Sequence, residues 1–123
     1  MFLGRQTFDA IHAAGLVFDH APIVGFGPNA ANPHYEPVPG QDLTLAPDQV
    51  VLLDLWAGPR LGTVFADQTW MGFSGRTVPA KVQEVWRTVR DARDAAIAVV
   101  QRKAGREPLC GFEGDAAARA VIE

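Results

Sequence analysis

The chain has 123 residues, a formal net charge of −3 and 20% charged residues, and these values exclude several classes of protein. A chain of this length forms one domain at most and buries about two-thirds of its unfolded surface. The acidic balance provides no basic field for nucleic acid or an anionic membrane. No apolar run reaches the ~18 residues of a membrane span. Cys110 is the single cysteine, which excludes an internal disulfide and indicates a cytoplasmic location.

Three elements are predicted in the first third of the chain. Residues 6–16 have the apolar spacing of a short helix, and Gly15 is its expected stop. Residues 21–26 have the composition of a short apolar strand. Residues 27–41 contain so many prolines and glycines that they are predicted to form a loop. Loops of this length in small domains are usually functional or disordered.

His34 is the candidate functional residue of this loop. It follows Pro33, which stiffens the backbone. A neutral imidazole held there could shuttle a proton or hydrogen-bond a reacting carbonyl, and a solvated side chain without a function is the alternative. His12 and His20 have no partner pattern and are assigned structural roles.

A hairpin is predicted from residues 50–57 and 63–73, each an apolar run that contains one aspartate. A tight reversal centred between Arg60 and Leu61 would place Asp54 directly opposite Asp67, with the Cβ atoms about 4.5–5.5 Å apart on one face. Two carboxylates in this position repel each other unless they share a cation. We therefore expect a metal site, which could accommodate two cations roughly 3.5–4 Å apart.

The residue types around the two aspartates refine this hypothesis. Oxygen ligands favour hard ions such as Mn²⁺, Mg²⁺ or Ca²⁺, and the Thr69 hydroxyl could support the site by hydrogen bonding. Trp56 and Trp70 are expected on the same side, as walls of a substrate pocket or as core residues. The alternative is that each aspartate caps a turn or pairs with a buried arginine.

Two helices are predicted in the rest of the chain. Residues 79–104 have apolar positions at steps of three and four, with Pro79 at the start and Gly105 at the stop. Residues 114–123 continue a helical pattern to the last residue, from which we expect a fragment that ends inside a helix. With the antiparallel hairpin, this order predicts an α+β fold with helices packed on one face of the sheet.

Four stretches in this order resemble the catalytic domain of the M24 metallopeptidases, the pita-bread fold of Xaa-Pro aminopeptidases, prolidases and methionine aminopeptidases. Residues 27–35 are similar to the family's loop ending in Pro-His-Tyr. Residues 45–54 are similar to the strand that leads to its first metal aspartate, and residues 66–69 to the Asp-x-Thr of the second. Residues 113–119 resemble the helix before a metal-binding histidine. The resemblance covers nearly the whole chain.

The resemblance implies roles for three residues. Asp54 and Asp67 match metal ligands, with Asp67 in the position that bridges two ions, and His34 matches a histidine that assists proton transfer. The ions would be manganese, with cobalt, zinc or iron as alternatives. Trp56 stands where the family commonly has glycine and Trp70 where it has arginine, so the pocket wall differs.

The function expected from this resemblance is that of a two-metal aminopeptidase or dipeptidase acting on peptides, of the Xaa-Pro type. Residues 1–123 would form a partial catalytic domain without the family's N-terminal region, and without a histidine and two glutamates that complete the metal site. We expect this chain alone to bind metal weakly and to be inactive, and to self-associate or depend on the remainder of the domain. The alternatives are an inactive interaction module and a creatinase-like hydrolase.

Overall fold

A computed structural model describes residues 3–36, 38 and 43–123 of the chain. The chain divides into two compact units, Met1–Arg76 and Thr77–Glu123. The first unit contains a short helix and a sheet, and the second contains two helices. Residues 37 and 39–42 lie outside the described residues, and they include part of the loop predicted over residues 27–41.

Three antiparallel strands form the sheet of the first unit. They are β1 (Ile23–Phe26), β2 (Val50–Ala57) and β3 (Ala66–Phe73), and β2 lies in the centre. The bounds of β2 are as predicted, whereas β3 begins at Ala66 rather than at residue 63. The predicted α+β class with an antiparallel, hairpin-based sheet is confirmed.

The pairing of β2 with β3 corrects the predicted register. Asp54 lies opposite Thr69, and Asp67 lies opposite Trp56, so the two aspartates are not directly opposed. The centre of the connection lies between Leu61 and Gly62, one residue beyond the predicted position between Arg60 and Leu61. Because side chains alternate between faces with a period of two, and the pairing is offset by two positions, the slip leaves both aspartates on the same face.

The register differs because the connection between the strands is wider than a tight reversal. Residues 58–65 all lie outside the two strands. Within them Thr63 donates a hydrogen bond to the carbonyl of Arg60 at 2.7 Å, and Gly62 has a φ of +78°. Phe65 folds over Gly58, where a Cβ atom would lie 2.4 Å from its ring. The loop therefore has its own packing, which the Gly-Pro signal alone does not predict.

The first helix, α1 (Leu3–Ala13), ends in a Schellman-type cap. The N–H of Leu16 donates to the carbonyl of Ile11 at 3.1 Å, and the N–H of Gly15 to that of His12 at 2.9 Å. Gly15 has a φ of +72°, a conformation that glycine adopts without strain. The predicted stop at Gly15 is confirmed, and the ring of His12 packs against Phe8 with centroids 4.6 Å apart.

Residues Gly27–Ala31, predicted as loop, form a short 3-10 helix on the sheet. At Gly25 of β1, a Cβ atom would lie 2.7 Å from the carbonyl oxygen of Asn29, so the close approach requires glycine. Gly25 lies opposite Leu52 of β2, and Leu52 is buried. Opposed residues share a face, so the 3-10 helix lies on the face of the sheet to which Leu52 points.

The second unit consists of α2 (Ala80–Lys103) and α3 (Gly111–Ile122), which pack on each other. Ala92 of α2 is buried. The predicted bounds of α2 are confirmed, with Pro79 at its N-cap and Gly105 in the left-handed region at φ +72°. None of the helices in the described part of the chain is long and apolar enough to cross a membrane.

The start of α3 differs from the prediction, which began the helix at residue 114. The backbone N–H of Cys110 donates to Oε2 of Glu113 at 2.9 Å, and the N–H of Glu113 donates to the carbonyl of Cys110 at 3.1 Å. Glu113 also pairs with Lys103 at the end of α2. Capping therefore extends the helix back to Gly111, because these bonds satisfy N–H groups that a helix otherwise leaves unpaired.

Candidate functional site

A row of polar and aromatic residues lies on one face of β2 and β3. Alternate residues of a strand share a face, as do directly opposed residues of neighbouring strands. Asp54 and Trp56 of β2 therefore share a face with Thr69 and Asp67 of β3. We call this surface the aspartate face. Asp54 is half-buried on it and Asp67 is exposed.

The two predicted metal ligands are diagonal neighbours on the aspartate face. Asp67 lies opposite Trp56, which is two positions from Asp54. Diagonal residues in an antiparallel pair are about 7–8 Å apart, whereas directly opposed Cβ atoms are about 4.5–5.5 Å apart. The larger separation weakens the repulsion between the carboxylates and leaves space for cations between them.

Thr69 holds the Asp54 carboxylate. Its Oγ1 donates to Oδ1 of Asp54 at 2.5 Å, across the β2–β3 pair. A hydroxyl bonded to an ionised carboxylate gives a short and strong hydrogen bond. Within the described residues no donor occupies Oδ2 of Asp54, so that oxygen is available to a ligand. The Thr69 hydroxyl, predicted to support the site, does so by bonding to Asp54.

Trp70 does not lie on the aspartate face, which corrects the prediction that it shares a pocket wall with Trp56. It is opposite Leu53, and residues 53 and 70 each stand one position from a residue of the aspartate face. The Trp70 side chain is exposed. Of the two tryptophans, only Trp56 can contact a ligand held at the aspartates.

His34 lies beyond the 3-10 helix that packs on the sheet. Its backbone N–H donates to Oδ1 of Asn32 at 3.0 Å, an Asx turn that fixes the local backbone. Gly25 and Leu52 place the 3-10 helix on the aspartate face, since residues 52 and 54 share a face. His34 is exposed, and among the described residues no hydrogen bond joins its imidazole to either aspartate.

A second polar cluster, which the sequence did not predict, surrounds Trp56. The indole Nε1–H donates to Oδ1 of Asp19 at 2.8 Å, and Nδ1 of His20 lies 3.1 Å from the same oxygen. The His20 and Trp56 rings are 6.1 Å apart between centroids. The bond from Trp56, followed by the contact with His20, holds the pKa of Asp19 below its usual range, so this carboxyl stays ionised at neutral pH.

The backbone explains why this cluster forms. Val17 and Gly58 exchange two hydrogen bonds, at 2.9 and 3.0 Å, in an antiparallel bridge beyond the end of β2. This bridge carries the segment after Val17 along the end of β2, where Trp56 lies. The cluster left no local signal in the sequence, because Asp19 and Trp56 are 37 positions apart.

The cluster borders an open cleft of about 510 Å³ within the first unit. Its lining combines the cluster around Trp56 with residues of the β2–β3 connection. The predicted metal ligand Asp67 and the Asp19–Trp56 pair therefore line the same cleft. Its described lining residues are Asp19, His20, Trp56, Leu61, Gly62, Thr63, Phe65 and Asp67.

The donor set suits a hard divalent cation but does not complete its coordination. Two carboxylates offer only oxygen atoms. In the described part of the chain, no three histidine, cysteine, aspartate or glutamate side chains come together as a metal-binding group. Asp54 and Asp67 can thus contribute ligands to a metal centre, and further ligands are needed to fill its coordination sphere.

Comparisons with known proteins identify the family of the chain. The family model of metallopeptidase family M24 matches residues 5–123. A crystal structure of recombinant prolidase from Thermococcus sibiricus is similar to the chain, with 30% sequence identity and a TM-score of 0.67. The alignment covers 84% of this chain and 25% of the prolidase, so the chain corresponds to about a quarter of that protein. Comparison with the curated proteins gave no match. On the extent of the family match, the chain belongs to the metallopeptidase family M24.

Proposed function

We propose that this chain supplies two metal ligands and part of the substrate cleft of a two-metal peptidase that cleaves after the N-terminal residue, with Xaa-Pro peptides as its substrates. The observation that carries the proposal is the aspartate face, on which Asp54 and Asp67 share one side of an antiparallel strand pair and Thr69 bonds to Asp54. Similarity to a prolidase supports the substrate class.

The proposed ions are Mn²⁺, with Co²⁺, Zn²⁺ or Fe²⁺ as alternatives, and Asp54 and Asp67 would hold them. When bound, such ions supply Lewis-acid polarisation of the scissile carbonyl. Thr69 would keep Oδ1 of Asp54 in place, so that the Asp54 carboxylate loses little freedom on binding. Two carboxylates balance only half of the charge of two divalent ions, so complete binding requires additional ligands.

His34 is the proposed proton-transfer residue. An imidazole can both accept and donate a proton in catalysis, and the Asx turn with Asn32 restricts the backbone of His34. The 3-10 helix before it packs at Gly25 on the aspartate face. We propose that a substrate carbonyl or amide nitrogen binds on the aspartate face within hydrogen-bonding reach of the His34 ring.

A hydrolysis assay on the full-length protein tests the proposal. With Mn²⁺ present, we expect cleavage of Ala-Pro, loss of activity in a chelator and recovery when Mn²⁺ is restored. Asp67→Asn should abolish cleavage, and Asp94→Asn is the matched control because Asp94 is an exposed partner of Arg93 on α2. Absence of hydrolysis together with absence of Mn²⁺ binding would favour an interaction module, and metal-independent hydrolysis of creatine would favour a creatinase-like enzyme.

The 123-residue chain by itself should bind Mn²⁺ weakly and lack activity, because two aspartates fill a fraction of about twelve coordination positions. Calorimetric titration with Mn²⁺ measures this directly, and tight binding at two sites would contradict it.

Large apolar side chains such as Trp86, Val89 and Phe112 are exposed, so we also propose that the chain self-associates or is covered by the remainder of its domain. The lone Cys110 supports a cytoplasmic location.

A further inference from the structure

We propose that the cleft beside Trp56 binds a positively charged side chain of the substrate, carried by the residue that precedes the scissile bond. The inference rests on the proposed function, because it assigns a ligand to the part of the cleft that borders Asp67. It concerns Asp19, His20 and Trp56, which lie outside the aspartate pair and His34. The ligand group is an ammonium or guanidinium at the end of a lysine or arginine side chain.

The charge of the lining favours a cation. The described lining residues include two carboxylates, Asp19 and Asp67, and none is a lysine or an arginine. The charge of Asp67 would be compensated by metal in the complete site, whereas the described partners of Asp19 are the Trp56 indole and the His20 ring. The pKa of Asp19 is lowered, so the carboxylate keeps its charge at neutral pH and attracts a cation into the cleft.

The hydrogen bonds of Asp19 leave it one oxygen for a ligand. The donor from Trp56 and the ring nitrogen of His20 both converge on Oδ1. In the described part of the chain no hydrogen bond ends on Oδ2. An ammonium or guanidinium could therefore bond to Oδ2 without displacing either partner, and charge-assisted bonds of this kind are about twice as strong as neutral ones.

Trp56 adds a second recognition element for the same group. Cations bind over the face of an indole within about 6 Å of its centroid, and the chain shows such a contact in its second unit, where Cζ of Arg90 lies 5.0 Å from the Trp86 ring. The bond to Asp19 fixes the edge of the Trp56 indole. Both the Trp56 ring and the Asp19 carboxylate line the cleft.

The position of the cleft relative to Asp67 defines which substrate residue it serves. Trp56 is the directly opposed neighbour of Asp67, so the cleft begins within one side-chain length of a proposed metal ligand. A substrate carbonyl held at the metal places the side chain of its own residue next to that ligand. The apolar side chains Leu61 and Phe65 in the lining suit the methylene groups of a lysine or arginine.

Competition between matched dipeptides tests the proposal in the full-length, Mn²⁺-loaded protein. Lys-Pro and norleucyl-Pro have side chains of similar length and differ in the terminal charge. We expect kcat/KM to be about tenfold higher for Lys-Pro, the ratio that ~1.4 kcal/mol of cation recognition gives. Asp19→Asn keeps an oxygen that accepts from Trp56 and removes the charge, so it should lower the ratio to the part that the Trp56 ring alone supplies. Asp94→Asn should leave the ratio unchanged.

A binding experiment without catalysis separates this proposal from the proposed function. The indole Nε1–H signals of the three tryptophans are observed by NMR in the metal-free protein, and Trp56→Phe assigns that of Trp56. L-lysinamide and L-norleucinamide share the α-ammonium, and we expect only lysinamide to shift the Trp56 signal at low concentration. Asp19→Asn should reduce the difference between the two amides.

The two experiments fail in distinguishable ways. Preference for lysinamide without Xaa-Pro hydrolysis would overturn the proposed function and support the cation site. Equal responses to the two amides, or an unchanged Lys-Pro to norleucyl-Pro ratio in Asp19→Asn, would overturn the cation site even if the protein hydrolyses both peptides.

Discussion

The two units of the chain hold their polar side chains by different kinds of contact. In the first unit, side-chain hydrogen bonds join residues far apart in sequence. Trp56 and Asp19 are 37 positions apart, and Thr69 and Asp54 are 15 apart. These bonds exist only when the strands are paired in one register, so the geometry of the site depends on the tertiary structure of this unit.

In the second unit, most polar contacts are local. Arg93 bonds to the adjacent Asp94, and Arg119 to Asp115 four positions away. Exposed pairs of this kind contribute little to stability, and they survive any change that leaves the helix intact. The geometry of the candidate site in the first unit therefore depends on long-range bonds, whereas the helices of the second unit depend on apolar packing and capping.

Removal of a proposed ligand should break the first unit's function most severely. For Asp54→Asn we expect Mn²⁺ affinity and kcat/KM of the full-length protein to fall by about 100-fold or more, because loss of a residue that only supports a ligand already costs about 10–100-fold. Metal analysis after dialysis and the peptidase assay measure this. Asp94→Asn serves as the control, and unchanged Mn²⁺ affinity in Asp54→Asn would remove Asp54 from the metal site.

Removal of the long-range bond to Asp54 should have the next largest effect. Thr69→Val keeps the shape of the side chain and removes the donor, so we expect Mn²⁺ affinity to fall by about 10–100-fold. Thr69→Ser keeps the hydroxyl and should stay within a few-fold of the unmodified protein. If Thr69→Val and Thr69→Ser bind Mn²⁺ equally well, the hydrogen bond does not position the ligand.

The same substitution at two glycines should have opposite effects in the two units. Gly25→Ala should lower the free energy of unfolding by about 1–3 kcal/mol, because the new Cβ meets the Asn29 carbonyl at 2.7 Å. Gly114→Ala should raise it by up to about 1 kcal/mol, because Gly114 lies inside α3 and its Cβ would make an ordinary 3.9 Å contact with Ala96. Urea unfolding measures both, and destabilisation by Gly114→Ala would contradict the packing described for the helices.

The smallest expected effect concerns the pH dependence of the second unit. The N–H of Cys110, and then the ion pair with Lys103, lower the pKa of Glu113 below its ordinary value of 4.5. A lowered pKa stabilises the fold above the unfolded value, and this contribution is lost as pH falls through the folded pKa. Glu113→Gln should therefore show a weaker loss of unfolding free energy on acidification below about pH 5.

Lys103→Met provides the control for that experiment. It removes only the second cause of the lowered pKa of Glu113, so part of the acid dependence should remain. Urea titrations at several pH values, followed by Trp86 fluorescence, measure the acid dependence of the unfolding free energy. Identical acid dependence in the unmodified protein and in Glu113→Gln would show that Glu113 does not contribute.

The sequence predicted the elements whose signals are local and missed the contacts that are not. The bounds of β2 and α2 follow from strand composition and helical periodicity, and the shared face of Asp54 and Asp67 follows from alternation. The register was wrong because packing of Phe65 on Gly58 widens the connection, and no local pattern specifies that packing. The assignment of Trp70 to the aspartate face was wrong because Trp70 follows Thr69 by one residue, and successive residues of a strand point to opposite faces.

The Asp19–Trp56 hydrogen bond could not be predicted from the sequence for a different reason. It depends on the bridge between Val17 and Gly58, which continues the sheet past the predicted strands. A carboxylate in a segment without periodicity gives no sign of its partner. His20, which was assigned a structural role, has the same origin, because its position near Trp56 follows from the bridge and not from its neighbours in sequence.

The pairing of Trp56 with Asp67 gives the protein an internal optical reporter. An indole next to a metal ligand loses fluorescence when a paramagnetic ion binds there, whereas Trp70, on the other face of the sheet, is less affected. Emission from Trp56 would thus report occupancy of the cation position without an added label. Because the same indole bonds to Asp19, its emission wavelength would also report on the cleft, so one side chain records metal and substrate as separate signals.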